Sequence, residues 1–270
     1  MGLLDDRVAV VTGAGRGIGR AIAETFVREG AKVMINDVDE VPAGEAKAAC
    51  EDIGGAGCAE FSIGSVTDPS YTDALMKATA DKFGKVDILV NNAGITKDKV
   101  IHRMDDELWN FVIDVNLRGS FNCIRSAAPY LRDTAKAEMQ EGGLKYQRKI
   151  VNFYSTAAIR GNPGQANYTA AKMGNVGLTR TIAQEWGRFC VNVNAVAPGF
   201  TDTRLTKPKE AAEGNMGIPA AQRDAMIKNI PFRRPGRPED IANAVLFFSS
   251  HLSDYVTGQE INVSGGLQIP

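Results

Sequence analysis

The stretch YTAAK sets Tyr168 and Lys172 four residues apart, a spacing that puts both side chains on one face if the segment is helical. Thirteen residues before Tyr168, Ser155 closes the apolar run KIVNFYS. That run reads as a strand, and open α/β sheets meet their ligands at the C-terminal ends of strands. A free phenol has a pKa near ~10 and is a poor base at neutral pH. A neighbouring ammonium favours the phenolate, and so would a second cation close by. Lowering the pKa by about 3 units takes roughly 4 kcal/mol, within reach of two cations in a partly dry site. A Y-x-x-x-K pair by itself is ordinarily a solvated helical pair. Joined to a strand-end serine and a glycine loop, it reads as acid/base machinery.

The glycine loop is TGAGRGIG, with Gly13, Gly15, Gly17 and Gly19 in alternate positions directly after the apolar run VAVV. A strand that turns through glycines into a helix makes a pyrophosphate site, because bare backbone lets the ligand approach and the helix N-terminus offers free N–H donors. The spacing is not the usual GxGxxG, since Ile18 stands sixth from Gly13. It is TGxxxGxG, built on Thr12, Gly13, Gly17 and Gly19, with Gly15 and Arg16 between them. The next apolar run, KVMIND, ends at Asp37, eighteen residues after Gly19. A carboxylate there can accept hydrogen bonds from both adenosine ribose hydroxyls. It would repel a 2′-phosphate at a cost of about 1 kcal/mol or more, which Arg16 could partly offset. The pattern points to NAD in preference to NADP.

The elements that must position these residues follow from the alternation of the chain. RVAVVTG, KVMIND, GCAEFSIGS, VDILVNNAG, KIVNFYS, VNVNAVAPG and EINVSGG read as strands. RAIAETFVREG, GEAKAACEDIGG, PSYTDALMKATADKFG, the long DDELWNFVIDVNLRGSFNCIRSAAPYL and ANYTAAKMGNVGLTRTIAQEWG read as helices. Near-continuous apolar strands separated by helices indicate a mostly parallel seven-stranded sheet with helices on both faces. The right-handed crossover rule makes this one doubly wound, Rossmann-type α/β domain spanning 1–270. Two stretches fall outside the alternation. Residues 132–149 are polar and read as a solvated extension of the helix before them. Residues 201–238 are long and rich in Gly and Pro, as expected of a substrate lid.

Composition narrows the partners. The 270-residue chain is 44% hydrophobic with a formal net charge of −1, which suits a single soluble domain with a substantial core. A near-neutral balance argues against nucleic acid. No apolar run reaches membrane-helix length, and MGLLDDRVAV lacks the regions of a secretory signal, so a cytoplasmic protein without a membrane partner is expected. Cys50, Cys58, Cys123 and Cys190 form no CxxC pair, His102 and His251 lie far apart, and free thiols without a metal site are expected.

Taken in order, TGAGRGIG, NNAG (91–94), Asn116 in DVNLRG, Ser155, YTAAK and APG (197–199) resemble the compact short-chain dehydrogenases/reductases over essentially the whole chain. The resemblance implies an NAD(P)-dependent oxidoreductase acting on CH–OH donors. It implies that Tyr168 exchanges a proton with the substrate oxygen and that Ser155 positions that oxygen. Lys172 would lower the tyrosine pKa and hold the nicotinamide ribose, and Asn116 would keep a water for a proton relay. Gly13, Gly15, Arg16, Gly17, Ile18 and Gly19 form the implied phosphate loop. Asn91, Asn92, Ala93 and Gly94 resemble the segment beside the adenosine ribose, and Pro198, Gly199, Thr201 and Thr203 the nicotinamide-side turn. Hydride transfer itself belongs to the cofactor.

Within the family, NNAGITKDKVIHRM, GNPGQANYTAAKMG and VNAVAPGF are most like 3-oxoacyl-(acyl-carrier-protein) reductases. The chain departs from them at Pro129 and Gln184, where basic carrier-docking residues usually stand, although Arg125 and Arg132 lie nearby. Ser65 replaces an acidic residue that helps hold adenine, which leaves Val66 and backbone atoms for that contact, and Ser264 makes SGG of the usual DGG. The expected substrate is a secondary alcohol and ketone pair, foremost a small-molecule 3-hydroxyacyl/3-oxoacyl thioester used in the oxidative direction. A fatty-acid-synthesis reductase and a steroid, polyol or cyclic-alcohol dehydrogenase are the alternatives. A catalytically inactive NAD-sensing module would be expected to lack Tyr168 or Lys172, and a sugar-nucleotide epimerase would carry TGxxGxxG and a larger C-terminal domain. Specificity is expected after Thr203 and around Ile95, Arg160 and Asn162. The helix carrying Tyr168 has a second apolar face at Val176, Leu178 and Ile182, and family members usually pair it across subunits, so a homotetramer or homodimer is expected.

Overall fold

The computed structural model describes residues 2–204, 206 and 217–267. These form a seven-stranded sheet in the order β3-β2-β1-β4-β5-β6-β7, every pairing of which is parallel. The strands are β1 (Val8–Thr12), β2 (Lys32–Asp37), β3 (Ala59–Ile63), β4 (Ile88–Asn91), β5 (Arg148–Phe153), β6 (Val191–Pro198) and β7 (Glu260–Val263). Between and after them run α1 (Gly17–Arg28), α2 (Glu40–Gly54), α3 (Pro69–Phe83), α4 (Asp106–Ile113), α5 (Gly119–Ala128), α6 (Thr134–Gln140), α7 (Thr156–Arg160), α8 (Ala166–Trp186), α9 (Ala220–Lys228) and α10 (Pro238–Ser249).

The near-continuous apolar strands have a direct cause. Ala9 and Val11 enter the core beneath α1, α2 and α10, while Val10 between them enters the core beneath α3, α5 and α8. With a side-chain period of two and both faces covered, each position must be apolar. Strand order reverses between β1 and β4, so the loops leaving those strands diverge and open a crevice at the C-terminal edge of the sheet. α2 starts four residues earlier than its apolar pattern suggests, with Pro42 in its first turn, where a missing N–H leaves no broken bond.

The long helical stretch before β5 is one path with two wider turns. α4 passes through a π-wound turn at Asp114–Arg118 into α5, and a second at Pro129–Asp133 leads to α6. The first of these turns carries Asn116, and π turns inside α-helices recur at functional sites.

Residues 132–149 correct the expectation of a merely solvated extension. α6 does prolong the helix, but the return leg is anchored. The Arg148 guanidinium donates twice to the Glu138 carboxylate, both at 2.8 Å. The Tyr146 hydroxyl donates to Asp87 Oδ1 at 2.6 Å and accepts from Lys85 Nζ at 2.6 Å, and the Arg7 guanidinium stands 3.2 Å from the Tyr146 ring centre. The segment therefore closes the N-terminal edge of the sheet, at the starts of β1, β4 and β5, opposite the crevice.

Of the expected lid 201–238, Leu205 and residues 207–216 lie outside the described residues. Within the rest, Thr201 bridges Gly236. Arg223 ties α9 back to Asp202 at 3.4 Å and to the Thr206 carbonyl at 3.3 Å. Among the described residues no helix is long and apolar enough to cross a membrane, and no cluster could hold a metal.

Candidate active site

The glycine loop joins β1 to α1 under tight packing. Gly13 and Gly17 adopt φ of +62° and +57°, which glycine reaches without strain. A Cβ on Gly19 would stand 2.3 Å from the Gly13 carbonyl oxygen, so only glycine lets the first turn of α1 fold back on the loop. Ile18 packs into the core while its backbone stays in that first turn, whose N–H groups have no partner within the helix. On the open side, the nearest atom to a Cβ on Gly17 is Thr203 Cγ2 at 3.8 Å. Thr203, from the far end of the chain, thus faces the phosphate loop across the crevice.

Asn92, an expected cofactor ligand, has its side-chain amide bonded to the glycine loop. Its amide nitrogen donates to the Thr12 and Gly13 carbonyls, both at 2.9 Å. Thr12 Oγ1 in turn accepts from the Asn92 and Ala93 N–H groups at 3.1 and 3.0 Å. These bonds lock the loops after β1 and β4 together. Asn92 holds the loop's shape, and Ala93 and Gly94 form the wall of the crevice.

Asp37 sits at the end of β2 with its carboxylate turned to the loop. Oδ2 accepts from Gly15 N at 2.8 Å, and Oδ1 from Val38 N at 2.8 Å and Asp39 N at 3.2 Å. A carboxylate has about four acceptor sites, so one remains on Oδ2 where two ribose bonds are expected from the sequence. Arg16, expected to be available to a phosphate, is paired with Asp39 at 3.0 Å. Ser65 Oγ bonds Thr67 Oγ1 at 2.8 Å, and Val66 is buried with its carbonyl accepting from Asn122 Nδ2 at 3.0 Å. Both residues, expected beside adenine, are thus engaged in local structure.

The residues expected to be catalytic meet at the ends of β4, β5 and β6. Ser155 follows β5 and caps α7, its Oγ accepting from Ala157 N at 3.2 Å, which leaves its proton free to donate. Tyr168 and Lys172 lie one turn apart on α8, with Lys172 Nζ 5.7 Å from the Tyr168 ring centre. Gly94 brings the remaining parts together: a Cβ there would be 2.6 Å from Asn116 Oδ1 and 3.1 Å from Lys172 Nζ. Asn116 is clamped through Oδ1, which accepts from Ile95 N at 3.3 Å, and Nδ2, which donates to the Ile95 and Val112 carbonyls at 2.9 Å. Beside them the turn after Pro198 is tied to β7, with Gly199 N donating to the Val263 carbonyl at 2.9 Å. Thr201 Oγ1 donates to the Gly199 carbonyl at 3.2 Å, and Ser264 closes against Gly199.

Burial dominates the electrostatics. It pushes the Tyr168 phenol above its ordinary value; hydrogen bonding with Ser155 opposes this and the Asp98 charge adds to it. Burial also lowers Lys172 from 10.5 to about 8. The protein's own groups thus favour the protonated form of Tyr168.

Sequence reasoning misses Asn175 and Asn167. Asn175 Nδ2 donates to the Asn116 carbonyl at 2.8 Å and the Phe153 carbonyl at 3.2 Å, and the latter also accepts from Lys172 Nζ at 3.3 Å. Asn167 Nδ2 donates to the Lys97 carbonyl at 3.2 Å, tying the segment after Gly94 to the start of α8. A signal is present for Asn175. Tyr168, Lys172, Asn175 and Thr179 fall on one helix face, and the last three are buried; a polar stripe where a core stripe belongs marks a positioned site.

The chain is similar to known proteins over nearly its whole length. The family described as enoyl-(acyl carrier protein) reductase matches residues 13–268. A 3-oxoacyl-[acyl-carrier-protein] reductase FabG of Staphylococcus epidermidis is 40% identical over 263 residues, covering 97% of this chain and 99% of that protein. The enzyme of that name from Thermotoga maritima is 38% identical over 98% of this chain and 99% of its own length. A crystal structure from Sinorhizobium meliloti 1021, described as a short-chain alcohol dehydrogenase, superposes with a TM-score of 0.86 at 32% identity, covering 98% of this chain and 97% of that one. With the crevice, the phosphate loop and the Ser155, Tyr168 and Lys172 set in place, the chain belongs to the short-chain dehydrogenase/reductase family, as an oxidoreductase acting on CH–OH donors.

Proposed function

We propose that the enzyme interconverts a secondary alcohol and its ketone with NAD, and that its substrate is a 3-hydroxyacyl/3-oxoacyl thioester. The observation that carries this reading is the meeting of Ser155, Tyr168 and Lys172 beside a crevice whose far end presents Asp37. The residues fit a nicotinamide dinucleotide: bare backbone at the loop, a carboxylate acceptor at the ribose end, and Lys172 with Thr201 at the other. When bound, that cofactor takes up or delivers the hydride. Ser155 donates its free proton to the substrate oxygen and orients it. Tyr168 takes the hydroxyl proton in oxidation and returns it in reduction. Lys172 stabilises the phenolate, and Asn116 fixes the wall on which Lys172 rests.

For the cofactor, a 2′-phosphate would meet Asp37 beside Gly15, where like charge opposes it. For the substrate, support comes from the relatives named 3-oxoacyl-[acyl-carrier-protein] reductase at 38% to 40% identity. Those names also favour a second reading, in which the thioester is borne by a carrier protein. Formation of NADH and NADPH from a 3-hydroxyacyl-CoA and from a matched simple alcohol tests the proposal. Preference for the thioester with NAD supports it, and equal rates on the free alcohol overturn the substrate class. Asp37→Ala should raise the NADP-to-NAD ratio of kcat/KM by about tenfold; an unchanged ratio removes Asp37 from cofactor selection.

We further infer a homodimer or homotetramer built on α5 and α8. Val176, expected on the second face of α8, is buried in the core. The outer face is instead a groove lined by Ile113, Leu117, Phe121, Gly174, Gly177 and Leu178, with Phe121 45% exposed. Light scattering of the purified protein reads the assembly directly, and a monomer would refute it.

A further inference from the structure

Asn175 is a polar side chain, fully buried on α8, one helical turn below Lys172 and on the same face. Its amide can point only one way. Nδ2 donates to the Asn116 carbonyl at 2.8 Å and to the Phe153 carbonyl at 3.2 Å, so both N–H groups are used, and a turned amide would set Oδ1 against two carbonyl oxygens. Oδ1 is left buried with no hydrogen-bond partner among the described residues, at a cost of about 1 to 3 kcal/mol. Satisfying the two carbonyls does not account for that cost. The Asn116 carbonyl also accepts from Ser120 Oγ at 3.4 Å, and the Phe153 carbonyl from Lys172 Nζ at 3.3 Å. An apolar residue at this position would orphan neither of them.

The amide joins the two sides of a slot. One side is the end of β5 at Phe153, and the other is the π-wound turn whose Asn116 side chain backs Gly94. Lys172 Nζ lies in this slot, 3.3 Å from the Phe153 carbonyl, 3.1 Å from where a Cβ on Gly94 would stand and 5.7 Å from the Tyr168 ring centre. An ammonium carries three N–H donors and a carbonyl oxygen two acceptor sites. With Asn175 on one site of each carbonyl, Lys172 gives a single N–H to the backbone beneath it. We propose that Asn175 is a positioning residue for the proton step, occupying the carbonyls beneath Lys172 so that the ammonium stays turned to Tyr168. The inference rests on the acid/base reading of Tyr168 and Lys172 and is independent of the substrate class. Without the amide, both carbonyls become acceptors for the ammonium, which hydrogen-bonds them more strongly than a neutral donor does. The ammonium then draws back from the phenol and stabilises the phenolate less.

The test uses the full-length protein at saturating NAD, with whichever of the 3-hydroxyacyl-CoA and the matched simple alcohol it oxidises faster. Asn175→Val removes both donors, and Asn175→Ala does so with no overpacking. Both should lower kcat about tenfold and leave the substrate KM within about twofold. Both should also raise the solvent deuterium isotope effect on kcat, because proton transfer becomes the slow step. Thr179→Val controls for packing. It makes the same polar-to-apolar change one turn further along the face, where Thr179 bonds Asn152 and the Asn175 carbonyl, and it should leave kcat and the isotope effect within about twofold. An isotope effect unchanged in both Asn175 variants overturns the proposal, whatever the fall in kcat, and so does an equal rise in Thr179→Val. Tyr168→Phe, assayed alongside, separates the two readings. If it is inactive while the Asn175 variants match the unaltered enzyme, only the present inference falls. If it keeps its turnover, the acid/base reading falls and this inference with it.

Discussion

Replacing Lys172 by methionine should make the protein more stable and almost inactive. Lys172 is 4% exposed, and burial lowers its pKa from 10.5 to about 8. That difference corresponds to roughly 3 kcal/mol of strain in the charged form. Its Nζ makes one bond, to the Phe153 carbonyl at 3.3 Å, worth about 1 kcal/mol. That carbonyl keeps Asn175 Nδ2 at 3.2 Å, so the substitution leaves no orphaned acceptor, and methionine fills the space with flexible apolar atoms. The net gain is about 2 kcal/mol, or about 5 °C in Tm for a chain of this size. The sign with pH follows from linkage. The folded-state pKa is below the unfolded value, so the unfolded state binds more protons between pH 8 and 10.5, and stability of the unaltered protein rises across that window. The advantage of Lys172→Met should be full below pH 8 and should shrink as pH rises toward 10.5. Turnover should fall by about 10² or more through loss of the cation beside the phenolate. Thermal unfolding from about pH 6.5 to 10 with a parallel rate assay measures both effects. A variant less stable than the unaltered protein near neutral pH, or an advantage independent of pH, would refute the reasoning.

Three further residues are testable from the geometry. Tyr168→Phe should lower turnover by about 10² to 10⁴ with NAD affinity nearly unchanged; retention of most activity would displace Tyr168 from the chemistry. In the unaltered enzyme, oxidation should quicken as rising pH favours loss of the Tyr168 proton, and a flat profile would count against Tyr168 as the base. Tyr146→Phe removes a donor from buried Asp87, which keeps Val8 N at 3.0 Å, and should cost about 1 to 2 kcal/mol in urea unfolding. Because Tyr146 lies at the sheet edge opposite the crevice, kcat should not change, and a large fall would contradict that placement. Gly19→Ala puts a Cβ 2.3 Å from the Gly13 carbonyl oxygen, so the loop must shift and NADH affinity by fluorescence titration should fall about tenfold or more; unaltered affinity would refute the packing argument.

Much of this site is legible in the sequence because its signals are local. The glycine loop announces itself by side chains that are missing, Asp37 by ending an apolar run, and Ser155 by closing another. Tyr168 and Lys172 need only helical spacing to share a face. Asn116 is identified by resemblance alone, since nothing in its neighbourhood reveals the π turn that presents it. The motif NNAG does not say which way its side chains turn; in the fold Asn92 faces Thr12 and Gly13, from the loop after β1. Residues 132–149 look solvated by composition, and only the neighbouring starts of β1 and β4 supply the partners that anchor Tyr146.

The amino-acid order by itself determined the alternation of strands and helices and pointed to the candidate proton-handling residues, since each depends on periodicity or on a few adjacent side chains. The tertiary structure decided the quantities that act through space. It set the partner of Arg16, the acceptor sites left on Asp37, the two hydrogen bonds from Asn175 to Asn116 and Phe153, and the direction in which burial moves Tyr168 and Lys172. Desolvation and pairing depend on which groups long-range packing brings within a few ångströms, and no local pattern in a chain encodes that distance.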